Sequence, residues 1–303
     1  MRRPWFVGAL LAGALLLAGC GDPASGRDVA APPPGTTHQR AAASPGSSAG
    51  AASSPARPPV VLYLGDSLAM ESQDVLGQEL RRAVHARYTS APYSGTTLCD
   101  YLEGTGERSL VPDADKAAAL VRRLRPDVVV LQFWGNAWGF TPCMDGITYG
   151  RDRDRYLRRY TSDALRLTEQ IAGAGGTRAP LVLWVLQGPD PMTPDRVRQV
   201  NRVYEERAAA SGNAVVDAGR TVSPAARRHT WVQHLPCTPY ERAHPGFCTE
   251  PGRGRTALHR DDDPLHFCLA PTTSTPKPCP VRSPGILRIA REIARAVAER
   301  TGG

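Results

Sequence analysis

Short apolar runs separated by amphipathic stretches of helical spacing constrain this chain more than any other feature. Val60-Val61-Leu62-Tyr63-Leu64, Val128 to Phe133, Leu181 to Leu186 and Ala214 to Asp217 are each too short for a buried helix. Each reads as a buried strand, covered on both faces. Between them the helical spacing predicts helices from Leu68 to about Arg87, with Leu76, Leu80 and Val84 on one face, and from Asp115 to Arg125, ended by Pro126. Further helices run from Asp152 to Ala174, closed by Gly173, Gly175 and Gly176, from Pro194 to about Ala210, and from Ile286 to about Arg300. Alternation of this kind predicts an α/β fold: a three-layer sandwich with a central parallel sheet and helices on both faces. Its crossovers are right-handed, and ligands bind beyond the carboxyl ends of the strands. Residues from about Arg220 to Ser283, rich in proline and cysteine, read as one long loop held by disulfides.

The two ends of the chain differ in kind. Residues 1–20 carry Arg2 and Arg3, then an apolar run from Trp5 to Gly19, which reads as a signal peptide. The run falls short of the ~20 residues of a membrane span. It closes on Leu17-Ala18-Gly19-Cys20, which resembles a bacterial lipobox and would make Cys20 the lipidation site; an ordinary signal peptide with a chance cysteine is the alternative. Residues 21–59, mostly Ala, Pro, Gly and Ser, cannot bury enough surface to offset their ordering entropy and read as a disordered tether. Residues 60–303 are enough for one domain. These readings predict export and a lipid-anchored protein on the extracytoplasmic face of the cell membrane.

Setting Cys20 aside leaves Cys99, Cys143, Cys237, Cys248, Cys268 and Cys279, an even count that suits disulfides in an oxidising compartment. Their connectivity is not fixed by sequence. Local spacing favours Cys237–Cys248 and Cys268–Cys279, leaving Cys99–Cys143; zinc is the alternative, without any C-x-x-C pair to support it. The net charge of +8 comes from scattered arginines, and no stacking motif accompanies them, so a nucleic-acid partner is not expected.

Four segments carry candidate chemistry. Gly65-Asp66-Ser67-Leu68 ends the first strand and opens a helix, exposing a serine where the helix dipole favours developing negative charge. A serine here is also a common helix cap. Asp263-Pro264-Leu265-His266 precedes the last helix, where the carboxylate can fix the imidazole tautomer, although Asp261 and Asp262 also allow a plain acidic patch. Gly95, in Tyr93-Ser94-Gly95-Thr96-Thr97 after an extended segment, and Asn136, after the strongest strand, are suitable oxyanion donors. Asn136 could equally be a strand-end turn residue. Trp134 and Trp138 flank Asn136 and either line an acyl or sugar pocket or fill core. His85, His229, His234, His244 and His259 have no defensible partner spacing, and Asp261, Asp262, Asp263, His259 and His266 only imitate a metal site.

Taken in order, these segments resemble the sequence blocks of the SGNH (GDSL) hydrolase family. Gly65-Asp66-Ser67-Leu68 matches the first block, Gly95 the second-block glycine, Asn136 the third-block asparagine, and Asp263 with His266 the D-x-x-H block. The third block departs from G-x-N-D, with Trp134 two residues before Asn136 and Ala137 after it. The resemblance implies the family's flavodoxin-like three-layer fold and a serine esterase acting on carboxylic esters through an acyl-enzyme. Ser67, Asp263 and His266 would be catalytic; the Ser67 N–H, the Gly95 N–H and the Asn136 side chain would hold the oxyanion; no metal or cofactor would be needed. Cysteines near the second and third blocks look like an exported branch, in which a Cys99–Cys143 bridge would clamp the two oxyanion loops together. The implied partner is an ester, on a glycan or a lipid, met by a monomer. An O-acyltransferase on a cell-wall glycan and a non-catalytic binding domain on the same fold are the alternatives.

Overall fold

The computed structural model describes residues 57–302 apart from 137, 226–228 and 272–276. Residues 1–20, with Cys20, and nearly all of 21–59 lie outside the described residues, so the signal peptide, lipobox and tether do too. No helix among the described residues is long and apolar enough to cross a membrane.

The described residues form a five-stranded, wholly parallel sheet in the order β2-β1-β3-β4-β5. The strands are β1 (Val60–Gly65), β2 (Arg87–Ser90), β3 (Val128–Gln132), β4 (Leu181–Val185) and β5 (Ala214–Val216). Successive side chains alternate faces, so β1 feeds two cores. Leu62 and Leu64, with Val129, Leu131 and Trp184, pack against α2 (Ala117–Leu124), α3 (Arg153–Gly175) and α4 (Pro194–Ser211). Val61 and Tyr63, with Val130 and Val185, pack against α1 (Ser67–Val84) and α6 (Pro284–Thr301). The expected three-layer architecture is therefore observed.

Three local expectations change. Helix α1 ends at Val84 instead of near Arg87, because His85 adopts the left-handed conformation (φ 54°) and its N–H closes on the Arg81 carbonyl. Arg87–Ser90, after Ala86, form β2, an edge strand that the apolar runs do not announce because its side chains are half exposed. The 220–283 stretch is not structureless. It holds an antiparallel pair, β6 (His234–Pro236) and β7 (Arg255–Ala257), and α5 (Pro239–Ala243), whose Thr238–Glu241 capping box closes its first turn. Elements of three to five residues are too short to show a period.

Three disulfides form: Cys99–Cys143, Cys237–Cys248 and Cys268–Cys279. They use the sulfurs that a zinc site would need. Cys99, Asp100 and Cys143 do converge, but both thiols are consumed in the bridge.

Candidate active site

Gly65 sets the turn after β1. A Cβ there would lie 2.0 Å from the Gln132 carbonyl oxygen of the neighbouring β3. Asp66 follows and caps α1: its Oδ1 accepts from the Leu68 N–H at 3.1 Å, and its Oδ2 accepts from the Trp134 N–H. Asp66 is thus the cap, and Ser67 is the first helical residue with its hydroxyl directed elsewhere. Burial pushes the Asp66 carboxyl up to about 6, although both N–H donors and the charges of His266 and Arg196 favour its ionised form.

His266 Nε2 lies 2.9 Å from Ser67 Oγ, across 199 residues of sequence. Its Nδ1 lies 3.0 and 3.2 Å from the two oxygens of Asp263. Asp263 Oδ1 also accepts the backbone N–H groups of Leu265 and His266 at 3.2 and 3.1 Å. An ionised carboxylate only accepts, so Nδ1 carries the proton and Nε2 is left to accept from the serine hydroxyl. Burial opposes a charged imidazole, but the Asp263 hydrogen bond and the charges of Glu71, Asp263 and Asp66 outweigh it, so His266 titrates above its ordinary value. Asp263 also overcomes burial, through His266 and the two backbone donors, and lies well below the usual carboxylate range.

Two neighbours have no signal in the sequence. Glu71, one turn along α1 from Ser67, accepts the Phe267 N–H at 2.9 Å and the Cys268 N–H at 3.1 Å. Burial pushes its carboxyl up to about 7. His259 donates from Nδ1 to the His266 carbonyl at 2.9 Å and stacks on Trp231. Backbone N–H and C=O groups carry no residue identity, so such partners leave no motif to read.

The oxyanion candidates meet from two loops. Asn136 Nδ2 donates to the Gly95 carbonyl at 2.7 Å, and its Oδ1 accepts the Trp138 N–H at 3.2 Å, which leaves the second amide N–H. Gly95 has φ +77°. Two buried side chains grip the backbone around Asn136. Arg196, paired with Asp190 at 2.7 Å, donates to the carbonyls of Trp134 and Gly135 and lies over the Trp134 and Trp138 rings. The Tyr156 hydroxyl donates to the Gly135 carbonyl at 2.6 Å. The Cys99–Cys143 bridge ties the helical turn after Gly95 to the turn after Phe140.

Ser67, Gly95, Asn136 and His266 line one cavity of about 360 Å³. Its walls are largely apolar: Trp134, Trp138, Phe140, Leu265 and prolines 271, 278 and 280, with Arg260 and Lys277 also contributing. Trp134 is buried, whereas Trp138 and Phe140 are 41% and 63% exposed. The cavity opens beyond the carboxyl ends of β1 and β3, where ligands bind in sheets of this type. A larger, shallower groove of about 710 Å³ lies along β5 and α6, lined by Arg220, Arg288 and Arg295, and is without a nucleophile–base pair.

No protein-family profile matches the chain, and no curated protein does. Solved structures match it in fold. The lipopolysaccharide acetyltransferase periplasmic domain of Salmonella ser. Paratyphi A aligns with a TM-score of 0.50 at 9% identity, over 80% of this chain and 84% of that one. TesA aligns with a TM-score of 0.43 at 14% identity, over 80% and 99%. A member of the lipolytic protein G-D-S-L family from Veillonella parvula DSM 2008 gives 0.36 at 15% identity, over 57% and 85%. At these identities the likeness is one of α/β fold alone.

Proposed function

We propose that this protein is a serine enzyme that transfers the acyl group of a carboxylic ester, by default to water. The observation that carries this reading is the 2.9 Å contact of Ser67 Oγ with His266 Nε2, with Asp263 on the opposite ring nitrogen. In the reaction, His266 Nε2 takes the Ser67 proton as Oγ bonds to the ester carbonyl carbon. The oxyanion is met by the Ser67 N–H at the start of α1, the Gly95 N–H and the second Asn136 amide hydrogen. His266 then gives its proton to the departing alkoxide as the carbon–oxygen bond breaks. Water, or a second hydroxyl in a transferase, attacks the acyl-enzyme by the same steps in reverse. Asp263 stays ionised throughout and holds the ring. The apolar cavity wall strengthens these interactions by thinning out water.

The chain would work outside the cytoplasm, held by a lipid on Cys20 with residues 21–59 as spacer. The three disulfides support that compartment. An acylated glycan or lipid is then the natural substrate class.

A fluorophosphonate probe is expected to label Ser67, and p-nitrophenyl acetate hydrolysis should fall by about 10⁴-fold or more in Ser67→Ala. Labelling at another residue, or equal turnover by a folded Ser67→Ala, would remove Ser67 from the chemistry. No labelling on a folded wild-type chain would favour a binding domain.

A further inference from the structure

Glu71 is a buried carboxylate, 6% exposed, whose two oxygens are met by backbone N–H groups. Leaving a carboxylate in such a place is costly unless something there needs it. What it holds is specific. Its two oxygens take the N–H groups of Phe267 and Cys268, the two residues directly after His266. Its own carbonyl accepts the Cys279 N–H at 3.1 Å, and Cys279 is bridged to Cys268. One residue of α1 therefore grips both ends of the segment 268–279, at the exit of the loop that carries His266. Ser67 and Glu71 are four residues apart on one helix, so they share a face. A glutamine of the same shape would keep an acceptor for one of these N–H groups and turn its own N–H2 donor toward the other.

The geometry points to Glu71 as a positioning residue for the proposed base: it fixes His266 against Ser67 and, through its negative charge, stabilises the imidazolium formed when Ser67 gives up its proton. This rests on the acyl-transfer reading of Ser67 and His266. Its electrostatic setting has contributions from several elements. Asp66 lies on the same helix start and Tyr63 on β1 beneath; Asp263, His266 and Arg260 come from the loop after β7, and Lys277 lines the same cavity. Among these, burial apart, the charge of His266 is the largest influence on the Glu71 carboxyl, and it favours the ionised form.

The test uses Glu71→Gln and Glu71→Ala in the full chain. NMR titration of the His266 ring should show its pKa moved to lower pH in Glu71→Gln, because a neighbouring negative charge is gone. The acid limb of kcat/KM should move down with it, while the plateau falls about tenfold in Glu71→Gln and about ten- to a hundredfold in Glu71→Ala, the range for a lost charge-assisted hydrogen bond. A merely structural Glu71 would lower the plateau without moving either titration, and that result in a folded Glu71→Gln overturns the inference. Should Glu71→Gln not fold, His266→Ala decides by reciprocity: with the imidazolium gone the Glu71 carboxyl titrates higher than in the wild type, and an unmoved Glu71 overturns the inference. If the His266 titration shifts but no ester is turned over and no probe binds Ser67, the acyl-transfer reading fails and the Glu71–His266 coupling stands.

Discussion

A Cβ at position 65 has nowhere to go: it would meet the Gln132 carbonyl oxygen at 2.0 Å and Ala69 Cβ at 2.5 Å. Position 95 is different. A Cβ there would find nothing nearer than 3.9 Å, so its glycine is needed only for the positive φ of 77°. Gly95→Ala is therefore expected to fold and to lose about 1 kcal/mol in urea unfolding, whereas Gly65→Ala must pry β1 from β3 and should lose about 3 kcal/mol or more. Equal losses would show that packing at residue 65 has been misjudged. The same scale shows what sequence could carry. Ser67, Gly95, Asn136, Asp263 and His266 could be singled out as candidates because, taken in order, they resemble the blocks of a known family, although each alone has a blander reading. Which of Asp66 and Ser67 caps α1 was not legible, since both are good caps, and only the Trp134 N–H waiting across the turn decides for Asp66. Glu71 and His259 were invisible for a related reason: their partners are backbone groups of residues 266–268.

Among elements, those with an apolar run or a helical period were readable and those with neither were not. Strands β1, β3, β4 and β5 are buried along most of their length and appear as apolar runs; β2 is covered on one side only and reads as a polar segment. The 220–283 region hides β6, β7 and α5 because three to five residues cannot repeat. Disulfides supply there what a small element cannot, and they differ in access. Cys99 and Cys143 are buried at 0% and 1% exposure, whereas Cys268, which lines the cavity, and Cys279 are half-buried. A mild reductant should therefore open Cys268–Cys279 before Cys99–Cys143. Because Cys268 is two residues from His266 and is held by Glu71, esterase activity should fall at that first step, before far-UV circular dichroism changes. Mass spectrometry of alkylated cysteines gives the order. Alkylation of Cys99 and Cys143 first, or full activity with Cys268 and Cys279 alkylated, would disconnect the bridge from the base.

For the whole molecule, the parallel sheet, the helices on both faces and a site beyond the strand ends follow from the alternation alone. What alternation could not foretell is how much acidity the domain buries around that site. Asp66 and Glu71 titrate near about 6 and about 7 because burial raises them, and His266 is also raised, against its own burial, by Asp263 and Glu71. Each holds its proton more tightly folded than unfolded. The stability each contributes is fully present below its unfolded pKa and is lost as pH rises through the folded one. Asp263, Asp190 and Glu241 are held low, because their hydrogen bonds and cations outweigh burial, so their contribution is lost only in stronger acid. Buried His259, lowered by desolvation, works the other way, as does a formal charge of +8 that grows as histidines protonate. Two carboxyls and one imidazole against one imidazole should leave the domain more stable at pH 5 than at pH 8. The difference should reach a few degrees in Tm, at about 2–4 °C per kcal/mol for a domain of this size. Calorimetry across that range tests it, and Asp66→Asn together with Glu71→Gln should flatten the slope. A Tm equal or higher at pH 8 would mean that these carboxyls are solvated enough to ionise freely. Ester turnover needs neutral His266 and so should rise over the same interval in which the fold weakens, since the proton that His266 must release is one of the three that steady the domain.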